Sequence, residues 1–377
     1  MTSPVERNVP DVPFGSVNWC TNANSSTKNR VCSFRNLCFS HYFRKYLLLR
    51  EDLSSPLDPI LITPDNNILL ISTVLNNQYE FRYYNSPSGI FRSEHHLFKN
   101  YYRGKYLFFS PFVRSNLMHV IHDDLLPSFE TMTRLDGMQT DPTRTLILME
   151  AVPDQGITKE NQLYQLLSKN QVISDYEFLL EPSNSLTCFE DAMVGLSRDT
   201  IWYQYGIGDE PEGPIPDSNL TSVHIDNFTN YMKKRLNIQE KCSLEEDKYG
   251  VLISRKRSRR VLNEDELVEV ISKTFKLDVV LISLEDNSVK DLIKLISCAK
   301  FMIGVHGALM ILSMFLPTSS LILELFPFAL RPEAYTPYNT LSVLSGRDLE
   351  YLSWRNMNRS RTVTFPKNDE YKGGLPI

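Results

Sequence analysis

The sequence lacks several features that would settle its class at once. It has no uninterrupted apolar run of the roughly 18 residues that a membrane-crossing helix requires. Its start, Met1 to Pro13, is polar and contains Pro. With neither an apolar core nor a cleavage site it is no signal peptide, and any anchor is expected to lie outside this chain. There is no G-x-G-x-x-G string and no G-x-x-x-x-G-K-[ST] string, which removes most of the support for a dinucleotide oxidoreductase or a P-loop enzyme. No two Asp are spaced D-x-D, the short motif that holds a divalent metal on a diphosphate, and no CxxC spacing suggests zinc. Excess charge is also missing. A net charge of −5 argues against nucleic acid as the main partner. No internal repeat or low-complexity tract stands out.

What is present is ample for folding. Of 377 residues 42% are hydrophobic and 11% aromatic, enough for buried cores, and the length suggests two domains. Six cysteines stand at 20, 32, 38, 188, 242 and 298. Three of them fall in one polar, Asn-rich stretch, which reads as a disulfide-tied start in an oxidising compartment. Four N-x-S/T sequons, at Asn24, Asn219, Asn227 and Asn358, add modest weight for the secretory pathway.

In the first half, short apolar runs broken by Pro, Asn and Gly predict strands around Leu47–Leu49, Ile68–Ile71 and Tyr106–Phe109. Asn116 is a good N-cap for a helix over Leu117–Leu126, which Pro127 should end or kink. Thr145–Met149 and Ala192–Leu196 read as strands, and Asn161–Leu167 as a helical patch. Tyr205 to Asn219, dense in Gly and Pro, reads as a linker and places a domain boundary. The second half is clearer. Strands are expected at Tyr249–Ser254, Leu277–Ser283, Phe301–Val305 and Leu321–Leu325. Helices between them start at Asn263, with Glu266 three residues on as in a capping box, at Ser288, and after His306-Gly307-Ala308. Apolar strands alternating with helices imply parallel βαβ units covered on both faces.

Four constellations could carry chemistry. His306-Gly307-Ala308 follows a buried strand and opens a helix, where an open α/β sheet binds ligands and where unpaired N–H groups face a phosphate. Gly307 would allow a close approach to the backbone; the plain alternative is a Gly chosen for a tight turn. Ser254-Arg255-Lys256-Arg257-Ser258-Arg259-Arg260 leaves the end of a strand. It is rich in phosphate-binding types, although such a run is often just a solvated face. Glu324 lies inside the apolar run L-E-L-F-P. A carboxylate there is costly to bury unpaired, so it either accepts from ribose hydroxyls or forms a structural ion pair. Finally, His119 lies one helical turn from both His122 and Asp123. One face thus holds a His–Asp pair suited to general base work, or simply surface histidines on a capped helix.

At these residues the sequence resembles glycosyltransferase family 61. The matching strings include V-C-S-F-R-N-L-C (31–38), N-L-M-H-V-I-H-D-D-L-L-P (116–127), T-I-W-Y-Q-Y-G (200–206), L-N-E-D-E-L (262–267), I-S-L-E-D (282–286), V-H-G-A (305–308), L-E-L-F-P-F-A (323–329), Y-T-P-Y (335–338) and Y-L-S-W-R-N-M (351–357). The resemblance implies an α/β fold of the GT-B kind, two Rossmann-like lobes facing a cleft: residues 1–212 as the acceptor-side lobe, 213–345 as the nucleotide-sugar lobe, and 346–377 packing back on the first. It further implies transfer of N-acetylglucosamine from UDP-GlcNAc to O-linked mannose on a protein, in β-1,4 linkage, with inversion and no required cofactor or metal. The implied place is the endoplasmic reticulum lumen, with a type II anchor; homodimerisation is left open. The family pattern N-x-x-H-x-x-x-D falls on Asn116, His119 and Asp123, with Asp123 as the expected base and His122 as the alternative. An Arg pair falls on Arg255 and Arg259. Ser254, Arg255, Arg259, His306, Gly307, Ala308 and Glu324 are assigned to the UDP-sugar, and Asn116, Trp202, Tyr335 and Tyr338 to the acceptor. Two other readings stay open: a related transferase acting on EGF-like domains, and a catalytically silent nucleotide-sugar-binding protein.

Overall fold

The structure is a computed structural model that describes residues 18–21, 30–50, 68–75, 77–85, 98–137, 143–149, 161–207, 210–216, 218–238, 249–328 and 330–363. Met1 to Pro13, the Asn24 sequon and Cys242 lie outside the described residues. The chain divides into two compact units. One comprises Met1–Phe112, Pro127–Ile157 and Leu163–Arg198; the other comprises Val113–Leu126, Thr158–Gln162 and Asp199–Ile377.

The first unit begins with β1 (Asn18–Cys20), β2 (Cys32–Ser40), β3 (Lys45–Arg50), β4 (Ile68–Leu70), β5 (Gln78–Asn85) and the long β6 (Phe98–Phe109). The chain then crosses into the second unit as α1 (Leu117–His119) and a widened π-helical turn, Val120–Leu125, and returns as α2 (Leu126–Asp136). Pro127 does not end the helix as its missing N–H suggested; the helix runs on to Asp136. The π turn just before the ring accounts for this, since Leu126 N–H bonds to Ile121 O, five residues back. Next come β7 (Thr145–Leu148), β8 (Ile173–Ser174), α3 (Tyr176–Leu179) and β9 (Ser185–Val194).

The strand order is β4-β5-β3-β2-β9-β6-β7-β8, with β1 added to β2. Pairing is mixed: β2 runs antiparallel to β3 and β9, whereas β6 runs parallel to β7 and β9. The core between strands is aromatic, with Phe34 stacked on Phe81 at 5.2 Å and Phe108 edge-on to Phe189 at 4.9 Å. Two disulfides pin it, Cys20–Cys32 and Cys38–Cys188. The first ties the start as expected; the second clamps β2 to β9 across a sequence separation of 150 residues. Cys298, in the second unit, is also disulfide-bonded.

The second unit opens with β10 (Tyr203–Tyr205) paired to β11 (Glu212–Pro214). The stretch read as a linker is therefore a hairpin. It belongs with the elements downstream of it, so the division differs from the one expected at residue 212. Then come α4 (Ser222–Arg235), β12 (Tyr249–Ile253), α5 (Glu264–Phe275), β13 (Asp278–Ile282), α6 (Val289–Ile296), β14 (Phe301–Val305), a 3₁₀ helix (Ala308–Phe315), β15 (Ser320–Phe326), α7 (Pro337–Ser342) and β16 (Leu349–Arg355). Both helices start where they were read to, but Asn263 makes no side-chain cap and so no capping box. Asn263 Nδ2 bonds to Glu266 at 3.0 Å, and the Ser288 hydroxyl accepts from Asp291 N–H.

All five strands pair in parallel, in the order β13-β12-β14-β15-β16. Counted along the chain this is 2-1-3-4-5, a doubly wound order whose direction reverses between β12 and β14. Leu349–Arg355, assigned from sequence to a segment packing on the first lobe, is the edge strand of this sheet. The architecture is mixed α/β, with one mixed and one wholly parallel main sheet among the described residues.

Candidate active site

Ligands of a doubly wound sheet bind outside the strand carboxyl ends at the point where the order reverses. Two of the sequence-read constellations stand there. Ser254 and Arg255 follow β12, and His306 and Gly307 follow β14. Ser254 is buried and donates to Glu264 Oε2 at 2.8 Å, which anchors the basic loop to the start of α5. Arg255 Nε donates to Ser258 O at 2.9 Å, and Arg259 Nη1 to His306 O at 2.6 Å. Among the described residues neither guanidinium has an ion-pair partner.

Partial burial, then the neighbouring Arg259 charge, draws the Arg255 guanidinium below its usual value. Arginine still stays charged. Arg259 has a φ of 52°, a left-handed conformation that costs a non-Gly residue about 1–2 kcal/mol. A Cβ on Gly307 would lie 2.2 Å from Arg255 Nη1, the mobile end of a long side chain. Ala308 opens a 3₁₀ helix rather than an α-helix, and Leu309 to Phe315 are all buried.

Of the two readings of Glu324, the structure shows the contact within the protein. It has no exposed surface; Oε1 accepts from His306 Nδ1 and Oε2 from the Tyr351 hydroxyl, each at 2.6 Å. Register explains this. Tyr351 on β16 lies opposite Ile322, one diagonal step from Glu324 on the same sheet face. Each oxygen thus accepts one hydrogen bond from protein, and the contact with His306 ties β15 to the turn after β14. His306 is further fixed by stacking on Phe326 at 5.2 Å, with the half-exposed Tyr335 ring 5.5 Å away.

The second cluster sits on α1 and the π turn, in the same unit. Asp123 Oδ2 meets His119 Nδ1 at 2.8 Å, and Oδ1 meets His122 Nδ1 at 2.5 Å. The Tyr205 hydroxyl donates to Oδ1 at 3.2 Å. Burial alone would raise the Asp123 carboxyl; the neighbouring His122 and the hydrogen bonds from both imidazoles outweigh it and hold it below the usual range. Burial and the Asp123 charge push the Tyr205 phenol well above its ordinary value, so it remains a donor. Asp123 and His122 have no exposed side-chain surface, while His119 keeps 15%.

The residues assigned to an acceptor are mostly structural. Asn116 caps α1 through Met118 N–H at 3.0 Å. Trp202 is fully buried; it packs edge-on against His122 at 4.1 Å, and its indole donates to Pro337 O. Tyr338 is buried and donates to Gly307 O at 2.7 Å. Asn116 and Tyr335 are partly exposed. Pro337 and Tyr338 thus link the two clusters: Trp202 rests on one, and Tyr338 reaches the backbone of the other.

Sequence reasoning missed Tyr205 and Tyr351. Both lie in strings that carry the family resemblance (200–206 and 351–357), but neither was given a role. No group of three or more His, Cys, Asp or Glu among the described residues is placed to hold a metal ion, and no described helix is long and apolar enough to cross a membrane.

The Glycosyltransferase 61 family model matches residues 211–323, from the hairpin through β12, β14 and the His306 turn into β15. The chain carries a glycosyltransferase 61 domain. The chain is also similar to proteins named protein O-linked-mannose beta-1,4-N-acetylglucosaminyltransferase 2. The identity is 35% over 358 residues with that of Mus musculus, covering 92% of this chain and 58% of that protein. With the Homo sapiens protein it is 34% over 357 residues, at 92% and 58% coverage, and with that of Xenopus tropicalis 34% over 361 residues, at 92% and 59%. The chain spans just under three-fifths of the length of these curated relatives.

Proposed function

We propose that this glycosyltransferase moves N-acetylglucosamine from UDP-GlcNAc to O-linked mannose on a protein, in β-1,4 linkage and with inversion. The observation that carries the reading is the pair of guanidinium groups without ion-pair partners among the described residues, at the switch point beside His306, in the span that matches the family. Two fixed positive charges suit a diphosphate leaving group and can neutralise it without a metal. The relatives' names supply the sugar and the acceptor. Under this reading the doubly wound second sheet is the donor lobe of a GT-B enzyme, two Rossmann-like lobes facing a cleft. The nucleotide meets Arg255, Arg259, His306 and the Gly307–Ala308 backbone, and Tyr335 is the acceptor-side contact with exposed surface. The disulfides support an oxidising compartment, the endoplasmic reticulum lumen.

The test is a transfer assay with radiolabelled UDP-GlcNAc, offering a mannosyl peptide and an EGF-like domain as rival acceptors. We expect label on the mannosyl peptide, and the same rate in excess EDTA. Label on the EGF-like domain alone assigns the related specificity; binding of UDP with no transfer to either assigns a silent binding protein. Loss on chelation that manganese restores sinks the metal-free reading.

A further inference from the structure

Three of the four sequons fall on described residues, and the fold presents them differently. Asn227 stands inside α4, and the hydroxyl of its partner Thr229 is buried and donates to Asp226 O at 3.2 Å. Asn219 is exposed, but the Thr221 hydroxyl two residues on is committed to capping α4. Asn358 differs from both. It lies beyond the end of β16, and Asn358, Arg359 and Ser360 are all exposed.

The local geometry at Asn358 is specific. The Ser360 N–H and the Ser360 hydroxyl both donate to Asn358 Oδ1, at 2.9 and 2.7 Å. A backbone N–H can be met here only by an oxygen, so this atom is the amide carbonyl and the other is the NH₂ group. Among the described residues no group engages that nitrogen. The turn is held on both sides: Asn358 N–H donates to Asn356 Oδ1 at 3.0 Å, and Asn356 Nδ2 to the Thr362 hydroxyl at 2.9 Å. Asn favours such turns because its side chain bonds the backbone two residues on. The folded protein therefore displays the whole sequon, hydroxyl on the amide, and modification need not precede folding.

A second observation concerns what lies beside it. β16 pairs with β15 alone, so its outer edge is open among the described residues. Leu352 and Trp354 on that strand are 55% and 56% exposed, and Met357 just after it 75%. An open edge with apolar side chains is a template for pairing with another chain. Asn358 is four residues from Trp354, so at most about 14 Å of chain separates them.

We propose that Asn358 is an N-glycosylation site and that its glycan keeps the β16 edge from pairing with a second chain. This rests on the lumenal reading above. In the step, Asn358 Nδ2 forms a bond to C1 of an oligosaccharide carried on a lipid diphosphate. The bond from C1 to the diphosphate oxygen breaks and its electron pair leaves on the diphosphate. One amide proton passes to a base of the transferring enzyme. The product is a bulky, solubilising group on the turn that follows the edge strand.

The test expresses the whole chain in a secretory host and releases glycans with peptide N-glycosidase in heavy-oxygen water. Each occupied Asn becomes a labelled Asp, which peptide mass spectrometry reads. Asn358 should be labelled in most molecules, and in more of them than Asn227. Light scattering then compares the wild type with Asn358→Gln and Ser360→Ala, which remove the sequon from either end. Both should rise toward the mass of a dimer or larger at concentrations where the wild type does not, and adding Trp354→Lys to either should reverse this. Unlabelled Asn358 in a chain whose Cys20–Cys32 and Cys38–Cys188 bonds have formed overturns the site. Equal masses for the wild type, both variants and wild type stripped of glycan after folding overturn the role at the edge. Unlabelled Asn358 together with free thiols at those cysteines shows instead that the lumenal reading has failed, and takes the site with it.

Discussion

Arg255 and Arg259 have plain structural uses, since each donates to a backbone carbonyl. What sets them apart is the absence of an ion-pair partner among the described residues, while the nearby Lys256 has Asp286 at 3.2 Å. Paired charges are already compensated and gain little from a ligand, whereas an uncompensated pair at a strand end favours an anion. Arg259→Ala should therefore weaken UDP binding by about 1.5–3 kcal/mol, the usual worth of a hydrogen bond to a charged group. Calorimetry on the folded variant reads this directly, and an unchanged dissociation constant would place the diphosphate elsewhere. Glu324 is the counter-example at the same scale. Its charge is as visible in the sequence, yet it is buried with a protein donor on each oxygen.

The elements of the second unit were legible because each carries its own signals. Asn263 and Ser288 start helices where they were read to, and Phe301–Val305 is a strand with the bounds expected. The first unit was less legible, and for physical reasons. Its strands pair both ways, and β2 holds Arg35 exposed and Asn36 at a φ of 55°, which blurs any period of two. Pro127 read as a stop or a kink because sequence alone does not show the π turn that accommodates it. Tyr205–Asn219 read as a linker because Gly and Pro mark hairpins and linkers alike. The site followed the same rule: His119, Asp123, Arg255, Arg259 and His306 stood out by position in a motif, whereas Tyr205 and Tyr351 matter through contacts that only the fold creates. Sheet packing gives a sharp test at this scale. A Cβ on Gly250 of β12 would fall 1.9 Å from the buried Phe301 ring of β14. Gly250→Ala should destabilise the protein by about 1–3 kcal/mol through overpacking. An unchanged thermal midpoint would mean that the ring can swing aside freely.

At the scale of the whole molecule, the crossing of the chain at α1 has a consequence for folding order. Val113–Leu126 is synthesised in the middle of the first unit's sequence but belongs to the second. It brings Leu117, Met118, Val120, Ile121 and Leu125, all buried, and the ring nitrogen that accepts the Trp202 N–H. Burying such side chains is worth about 1.5–3 kcal/mol each, together comparable to the whole stability of a typical domain, about 5–15 kcal/mol. Residues 199–377 alone should then stay loosely packed, with a weak near-ultraviolet circular dichroism signal, and a chain that also restores 113–126 should recover it. A sharp, cooperative melt of 199–377 by itself would refute this. During synthesis, the segment bearing His119 and Asp123 must wait until β14 and the 3₁₀ helix have emerged from the ribosome. The His119–Asp123 cluster thus falls into place only after the segment bearing Arg255 and His306 has been made, so its geometry reports on the completeness of the whole unit.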